Sequence, residues 1–169
     1  MKKYSISLLA AYTKNNRVIG SQGKIPWNIP SERNRFKSIC SGKKIIMGRK
    51  SFEEIGHALS YCTIVIISKT KQECPPGCML FKNLKQAIKS IAEEKTIDGN
   101  NIPEILICGG EKIYRQTIKC ASRIYATEIY KDFDGDRYFP ALNKKWTKTI
   151  EETREENGIK YDYVTYIKK

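Results

Sequence analysis

The sequence contains a single histidine, no long apolar run and no regular cysteine spacing. His57 has no second metal ligand near it, and the Cys74-Pro-Pro-Gly-Cys78 spacing matches no standard metal pair, so we predict no metal site. Without a long apolar segment, we expect neither a signal peptide nor a membrane-spanning helix. Cys62 and Cys108 lie in or beside apolar strand patterns, which is typical of buried, reduced thiols. We therefore expect a cytoplasmic protein.

The chain also lacks a nucleic-acid-binding motif, although it is strongly basic. Its 31 lysines and arginines outnumber 18 acidic residues and give a formal charge of +13. The basic residues are dispersed and are not interleaved with aromatic residues, so a solvated surface or attraction of a small anionic ligand is favoured over nucleic-acid binding. The 169 residues fit one domain, residues 1–169. The absence of an apolar heptad or exposed apolar strand favours a monomer.

Strand-like and helical patterns alternate along most of the chain. The strand-like runs are residues 4–12, 43–47, 63–68, 78–81, 104–108, 123–129, 146–152 and 160–167. Apolar residues at helical spacing predict helices over residues 31–40, 50–56, 84–94 and 111–119. We predict an α/β fold: a single domain with a central, mostly parallel sheet of about eight strands flanked by helices. Asn157-Gly158 marks the turn of an antiparallel C-terminal hairpin that ends the sheet.

One acidic residue follows two prolines in residues 25–37. Pro26 and Pro30 disfavour helix before position 30, and Ser31 can cap the free amides of a helix that begins there. Glu32 then falls in the first helical turn, where the helix dipole favours negative charge. The segment predicts a helix that presents a carboxyl group near its beginning.

Three large apolar side chains, those of Trp27, Ile29 and Phe36, surround Glu32 in this segment. A carboxyl group in apolar company has a raised proton affinity and pairs well with a protonated nitrogen heterocycle. The segment therefore predicts a ligand cradle. An ordinary first-turn glutamate explains the segment taken alone equally well.

Two apolar strand patterns turn on glycine directly into a helical pattern. Residues 48–51 read Gly-Arg-Lys-Ser, and Gly109 and Gly110 precede the helix predicted over 111–119. Free amides at a helix start, close backbone approach at glycine and fixed positive charge favour phosphate binding at both junctions. Packing explains each junction alone as well. Neither matches the full dinucleotide fingerprint or the Walker pattern, which disfavours a standard Rossmann domain and a P-loop NTPase.

The order and spacing of these motifs resemble the dihydrofolate reductase family over nearly the whole chain. The matching segments are Ala10-Ala11, Arg17-Val18-Ile19-Gly20, Ile25-Pro26-Trp27-Asn28, Glu32 with Phe36-Lys37, residues 46–53 and 55–56, Gly109-Gly110 with Ile113-Tyr114, and Phe133-Asp134-Gly135-Asp136 before Phe139-Pro140. The resemblance implies transfer of hydride from NADPH to 7,8-dihydrofolate, which yields tetrahydrofolate. It also implies binding of antifolates such as trimethoprim or methotrexate.

The resemblance implies a catalytic set of Glu32, Trp27 and Thr127. Glu32 is then the single ionisable residue of the pterin pocket, Thr127 its hydrogen-bonded neighbour, and Trp27 the holder of an ordered water. The implied substrate-binding residues are Leu9, Ala11, Ile25, Glu32, Arg33, Phe36, Lys37, Ile55, Leu59, Cys108 and Tyr114. The implied NADPH-binding residues are Ala11, Ile19, Gly48, Arg49, Lys50, Ser51, Ser68, Lys69, Gly109, Gly110, Glu111, Lys112, Ile113 and Tyr114. Asp136 is expected to tie its loop to the backbone of residues 20–24.

Three positions depart from the family pattern. Many bacterial members carry aspartate where this chain has Glu32, and some trimethoprim-resistant members resemble it in carrying glutamate, so trimethoprim insensitivity is a hypothesis. Arg33 replaces an apolar residue that touches the benzoyl ring of the substrate. Cys62 occupies the place of the arginine that binds the glutamate carboxylate of the substrate, and cysteine makes no bidentate ion pair. We expect Lys37 or Arg33 to compensate.

Two other functions fit parts of the sequence. The pyrimidine reductase of riboflavin synthesis has a similar fold, uses NADPH and is mildly favoured by the missing arginine at position 62. Trp27 and Glu32, at the spacing of a pterin site, disfavour it. The other alternative is a basic, catalytically inactive module that binds nucleotides or nucleic acid.

Overall fold

Strands and helices alternate in the computed structural model, which describes residues 4–94 and 103–169. The strands are β1 Ser5–Thr13, β2 Val18–Gly20, β3 Lys44–Gly48, β4 Thr63–Ile67, β5 Cys78–Phe81, β6 Glu104–Ile107, β7 Arg123–Ile129, β8 Arg137–Tyr138, β9 Trp146–Glu156 and β10 Ile159–Lys168. The helices are α1 Pro30–Cys40, α2 Arg49–Ile55, α3 Leu84–Glu93 and α4 Glu111–Thr117. Within these residues, no helix is both long and apolar enough to cross a membrane.

Eight strands form one sheet in the order β5-β4-β3-β6-β1-β7-β10-β9. The pairs from β5 to β7 are parallel, whereas β10 runs antiparallel to both β7 and β9. The predicted fold class, with its mostly parallel sheet and antiparallel C-terminal hairpin, is therefore confirmed. The chain leaves β7, forms the edge strand β9 and returns as β10 between the two.

Alternate residues of the central strands face two separate apolar cores. In β3, Ile46 packs in the core that contains Ala87 of α3 and Ile113 of α4, whereas Ile45 packs with Phe52 of α2. The same alternation holds in β1, β4 and β6, as the period of two along a strand requires. Helices α3 and α4 thus cover one face of the sheet, and α1 and α2 cover the other.

The C-terminal hairpin is longer than the sequence pattern predicted. The interval 153–159 was expected to separate two strands, but β9 continues to Glu156, and only Asn157 and Gly158 form the turn. Both have positive φ, at 52° and 70°. Asparagine and glycine tolerate this backbone conformation, which suits a two-residue hairpin turn.

Helix α1 begins at Pro30, one residue before the predicted start, and its capping differs from the prediction. Pro30 occupies the first turn, where its missing N–H leaves no donor unsatisfied. The prediction that Ser31 caps the helix is wrong, because the cap position is Ile29 and makes no side-chain cap. The backbone N–H of Ser31 instead donates to the Glu156 carboxylate at 3.0 Å. The end of the hairpin thus supplies the anion that a capping side chain normally provides.

Two short strands, β2 and β8, pair outside the main sheet and were missed by the sequence analysis. Gly135 packs against this pair so closely that a Cβ atom there would lie 2.3 Å from Val18 Cγ1 and 2.7 Å from the Gly20 carbonyl oxygen. The neighbouring Asp136 accepts from the Gln22 backbone N–H at 3.3 Å, and its own N–H donates to Gly20 at 3.1 Å. The predicted tie between Asp136 and residues 20–24 is therefore present.

We expect Gly135→Ala to lower the free energy of unfolding by about 1–3 kcal/mol, because the added methyl group overlaps backbone as well as the side chain of Val18. Urea denaturation measures the change, and Asp134→Ala at the exposed neighbouring position is the control. Equal unfolding midpoints for the two variants would contradict this steric argument.

Candidate active site

Two adjoining clefts open at the carboxyl ends of the parallel strands β3, β4 and β6. The inner cleft has a volume of about 390 Å³ and the outer cleft about 680 Å³. They share a wall made of Ile19, Ser51, Glu54 and Gly110. The carboxyl ends of parallel strands are the usual binding edge of an open α/β sheet.

The inner cleft gathers most of the predicted substrate-binding residues. The predicted substrate-binding residues that line it are Leu9, Ala11, Ile25, Glu32, Arg33, Phe36, Ile55, Leu59, Cys108 and Tyr114, and Trp27 of the predicted catalytic set lines it as well. Sequence analysis missed Ala10, Met47, Glu54 and Tyr61. Ala10 and Met47 are apolar residues of predicted strands, so their pattern indicated the core and no binding role. Glu54 resembled an ordinary exposed residue of a helix.

Glu32 lies on the wall of the inner cleft, in the first turn of α1, with Phe36 one turn later on the same wall. Burial raises the pKa of Glu32 to about 7, against the opposing positive charges of Arg35 and Arg33. Glu32 is not the only ionisable side chain of the cleft, because Arg33 and Glu54 also line it. Both of those residues are exposed, so Glu32 is the carboxyl group held deepest in apolar surroundings.

Trp27 is 7% exposed, and its indole Nε1–H has no hydrogen-bond partner within residues 4–94 and 103–169. Its ring packs at 5.9 Å from the ring of Phe133. A buried indole N–H normally donates to some partner. Since Trp27 lines the inner cleft, this donor is placed to serve a bound molecule.

Two predicted residues lie outside the wall of the inner cleft. The Thr127 hydroxyl accepts a long hydrogen bond of 3.4 Å from Arg35, so its role beside Glu32 stays a prediction. The ammonium group of Lys37 lies 5.6 Å from the centre of the Tyr61 ring, and that ring lines the cleft. Lys37 is therefore one residue removed from the cavity.

The two glycine junctions meet in space. The Gly48 N–H donates to the Gly109 carbonyl oxygen at 2.9 Å, and the peptide bond between Gly109 and Gly110 is cis. A Cβ atom on Gly110 would lie 2.8 Å from Ser51 Oγ, so no side chain fits there without displacement. The sequence indicated two separate anion sites. In the structure they form one continuous backbone surface between the clefts.

Tyr114, which follows these glycines in α4, is buried and lines the inner cleft. The Tyr114 hydroxyl donates to the Leu9 carbonyl oxygen at 2.6 Å, which joins α4 to the middle of β1. Burial raises the pKa of Tyr114 well above its usual value, so the side chain stays neutral. Tyr114 therefore fixes the position of the strand that forms the floor of the inner cleft.

Positive charge dominates the outer cleft. Seven of its lining residues are basic: Lys24, Arg49, Lys50, Lys69, Lys82, Lys112 and Arg137. Its acidic lining residues are Glu54, Glu111 and Asp136. Glu111 is engaged by Arg115 at 2.8 Å, and Arg49 by Glu53 at 2.9 Å. The remaining excess of lysines suits a ligand that carries several phosphate groups.

Most predicted cofactor-binding residues line the outer cleft. These are Ile19, Gly48, Arg49, Lys50, Ser51, Ser68, Lys69, Gly110, Glu111, Lys112 and Ile113. Ala11, Gly109 and Tyr114 line the inner cleft instead. Three further lining residues were not predicted: Lys82 and Asn83, which follow the end of β5 without a glycine, and Gln116 within α4.

Comparison with known proteins identifies this arrangement. A family model described as dihydrofolate reductase matches residues 5–168. The chain belongs to the dihydrofolate reductase family. It is 31% identical over 158 residues to the dihydrofolate reductase of Bacillus subtilis, an alignment that covers 91% of this chain and 89% of the relative.

Two further relatives show comparable similarity. The chain is 34% identical over 168 residues to the dihydrofolate reductase of Staphylococcus haemolyticus, covering 96% of this chain and 93% of the relative. It is 30% identical over 161 residues to dihydrofolate reductase type A13 of Escherichia coli, covering 95% and 93%. Between the two reductases considered from the sequence, these matches favour dihydrofolate reductase over the pyrimidine reductase.

This dihydrofolate reductase is an NADPH-dependent oxidoreductase. Two observations of the structure fit the cofactor. The side-chain-free surface at Gly110 allows a diphosphate to approach the backbone, and the lysines of the outer cleft supply the countercharge. Because the clefts share a wall, a cofactor held by residues of the outer cleft would adjoin a substrate in the inner cleft.

Proposed function

We propose that the enzyme reduces 7,8-dihydrofolate to tetrahydrofolate in the inner cleft, with Glu32 as the acid that orients the pterin ring. The supporting observation is the carboxyl group of Glu32, the one held deepest in apolar surroundings, with its pKa raised by burial to about 7, beside a cleft rich in cations. The proposed domain comprises residues 1–169 in full.

NADPH, when bound, supplies the hydride. The Glu32 carboxyl group accepts hydrogen bonds from the pterin amino group and the adjacent ring nitrogen, and so fixes which ring face meets the hydride donor. Because the pKa of Glu32 is about 7, its carboxyl group gains and loses a proton near neutral pH. A proton is therefore available within the cleft. Trp27 donates its free N–H to a water near the pterin ring. Thr127 is the hydrogen-bonded neighbour that orients the Glu32 carboxyl group.

Apolar side chains complete the substrate pocket by excluding water. We assign Leu9, Ala11, Ile25, Phe36, Ile55, Leu59, Cys108 and Tyr114 to this role. In the outer cleft, Arg49, Lys50, Ser51, Ser68 and Lys69 hold the phosphate groups on the adenosine side. Several cations in one place favour NADPH over NADH, because NADPH carries an additional ribose phosphate.

Arg33 and Lys37 are the proposed binding residues for the carboxylate tail of the substrate. Cys62, at the position of the family arginine, is half-buried, and burial raises the pKa of its thiol to about 11, so it stays neutral. Arg33 lines the inner cleft and donates to Asn28 at 3.0 Å, whereas Lys37 lies beyond the Tyr61 ring. We therefore assign the larger share of the compensation to Arg33.

We expect Arg33→Ala to raise the KM for dihydrofolate about tenfold or more, and Lys37→Ala to raise it less, because a charge-assisted hydrogen bond contributes about 1.5–3 kcal/mol. Steady-state kinetics followed by NADPH absorbance measure the effect, and Lys89→Ala on the exposed face of α3 is the control. An unchanged KM in both variants would remove the compensation.

We expect Glu32→Gln to slow turnover roughly 100-fold or more, because the amide neither holds the proton nor pairs with a protonated ring. In the parent enzyme, the rate falls as the pH rises through about 7, where Glu32 loses its proton. The same variant should be more stable than the parent at high pH. The raised pKa means that ionising Glu32 destabilises the folded state above its unfolded pKa, so Glu32→Gln gains about 1–2 kcal/mol at pH 8.

Single-turnover kinetics and urea denaturation at pH 6 and pH 8 test both halves of this expectation. Trp27→Phe, which removes the indole donor and keeps the carboxyl group, is the comparison variant. Parental turnover by Glu32→Gln at neutral pH would overturn the proposed role of this acid.

We also propose that the glutamate at position 32 reduces the affinity of the enzyme for trimethoprim. A diaminopyrimidine needs two parallel hydrogen bonds to the carboxylate, and the longer glutamate side chain holds the ring farther from α1 than aspartate does. We expect Glu32→Asp to bind trimethoprim about tenfold more tightly, a gain of about 1.4 kcal/mol. Inhibition constants for parent and variant measure this, and equal constants would contradict it.

The monomeric state and the cytoplasmic location are further proposals. All six cysteines are free thiols in the structure, as expected for a reducing compartment. Large apolar side chains on the surface are scattered, which gives no evident dimer face among the described residues.

A further inference from the structure

Arg35 is a cation held almost entirely inside the protein. It follows the cleft-lining residues Glu32 and Arg33 in α1. Its side chain is 11% exposed. The guanidinium donates to the Ala126 carbonyl oxygen at 2.8 Å and forms an ion pair with Glu151 at 3.3 Å. It also donates to the Thr127 hydroxyl at 3.4 Å. Helix α1 is thereby joined to β7 and β9 behind the inner cleft.

An aromatic ring completes this anchoring. The guanidinium carbon of Arg35 lies 4.4 Å from the centre of the Tyr163 ring of β10, within the range of a cation–π contact. Contacts from three strands therefore fix the charge in place. Arg33 differs, because its side chain is exposed and donates only to the Asn28 side chain. A fixed charge behind low-dielectric walls acts more strongly on its neighbours than a solvated one.

Arg35 and Glu32 lie one helical turn apart, at the i and i+3 positions of α1. Of the two arginines that lower the pKa of Glu32, Arg35 has the larger effect, although burial still raises that pKa overall. The hydroxyl of Thr127 accepts from Arg35, so its own hydrogen is free to point elsewhere. Arg35 thus acts on the acid both by charge and by orienting the predicted neighbour of that acid.

The other charged and titratable groups around Glu32 come from several elements. From α2, Glu54 lines the same cleft, and burial raises its pKa. Burial also keeps Tyr114 of α4 and Cys108 after β6 neutral by raising their pKa values. From β9, Glu151 pairs with Arg35, and Glu156 accepts from the backbone at the start of α1.

One further cation lies in this region but is placed differently. Arg154 of β9 lies 5.3 Å from the same Tyr163 ring and pairs with Glu152 at 2.7 Å. Its side chain is largely exposed. Arg35 is therefore the anchored cation nearest to Glu32 along α1, and Arg154 offers a matched arginine on the same ring.

We propose that Arg35 is a positioning residue for the reaction: its guanidinium, fixed against β7, β9 and Tyr163, is the permanent countercharge that keeps the Glu32 carboxyl group ionisable inside the apolar cleft. The inference rests on the proposed role of Glu32. Without this countercharge, the acid keeps its proton to higher pH, and the pH at which Glu32 gains and loses that proton moves away from neutrality.

The test is the titration midpoint of the Glu32 carboxyl group, followed by carboxyl carbon NMR in the full-length protein with and without NADPH. We expect Arg35→Gln to raise the midpoint by about one pH unit. Arg35→Lys keeps the charge and should return most of that shift. Glu151→Gln removes the negative charge facing Arg35, so it should lower the midpoint. Arg154→Gln is the matched control and should leave it unchanged.

The midpoint of the pH–rate profile should move in the same direction as the NMR midpoint in each variant. An NMR midpoint that is the same in Arg35→Gln, Glu151→Gln and the parent would overturn the proposal. Loss of stability without a shift would show a merely structural arginine. If Arg35→Gln does not fold, Glu151→Gln at a half-exposed position and Arg35→Lys still decide the outcome. The NMR titration needs no turnover, so a wrong assignment of the reaction would appear in the kinetics alone.

Discussion

The carboxyl group of Glu32, held in an apolar cleft, is the constraint on which the rest of the site depends. Burying an unpaired charge costs several kcal/mol, so a protein places one only where the surroundings are rigid enough to hold it. Here the rigidity has identifiable sources. Pro30 sets the beginning of α1, the Glu156 carboxylate binds the free amide of Ser31, and Arg35 fastens the helix to the strands behind it.

The parallel sheet supplies the other half of the site. Because β3 and β6 end at the same edge, the glycines that follow them come within hydrogen-bonding distance of one another. A side chain at Gly110 would have to displace the Ser51 hydroxyl, so glycine leaves the backbone bare at this point of the wall. The inner cleft, which holds Glu32, and the basic outer cleft thus meet at a wall to which Gly110 contributes bare backbone.

Much of this arrangement follows from the sequence, and the failures have physical reasons. Short apolar runs and helical spacing predicted the main strands and helices, because burial on two faces leaves a clear pattern. The short strands β2 and β8 showed no such pattern, because strands of three and two residues are too short to show a period. Ser31 was assigned to the wrong capping position because the true partner, Glu156, lies far away in sequence. The same limit applies to Arg35, whose partners are all on distant strands.

The wall shared by the two clefts has an energetic consequence. Ile19, Ser51, Glu54 and Gly110 contribute surface to both cavities, so a molecule in either one presses on side chains that shape the other. If the first molecule orders these residues, the second molecule binds with a smaller loss of conformational entropy. The coupling free energy is the same whichever molecule binds first. Molecules in the two compartments would therefore contact the same four residues, which is the route by which one could affect the other.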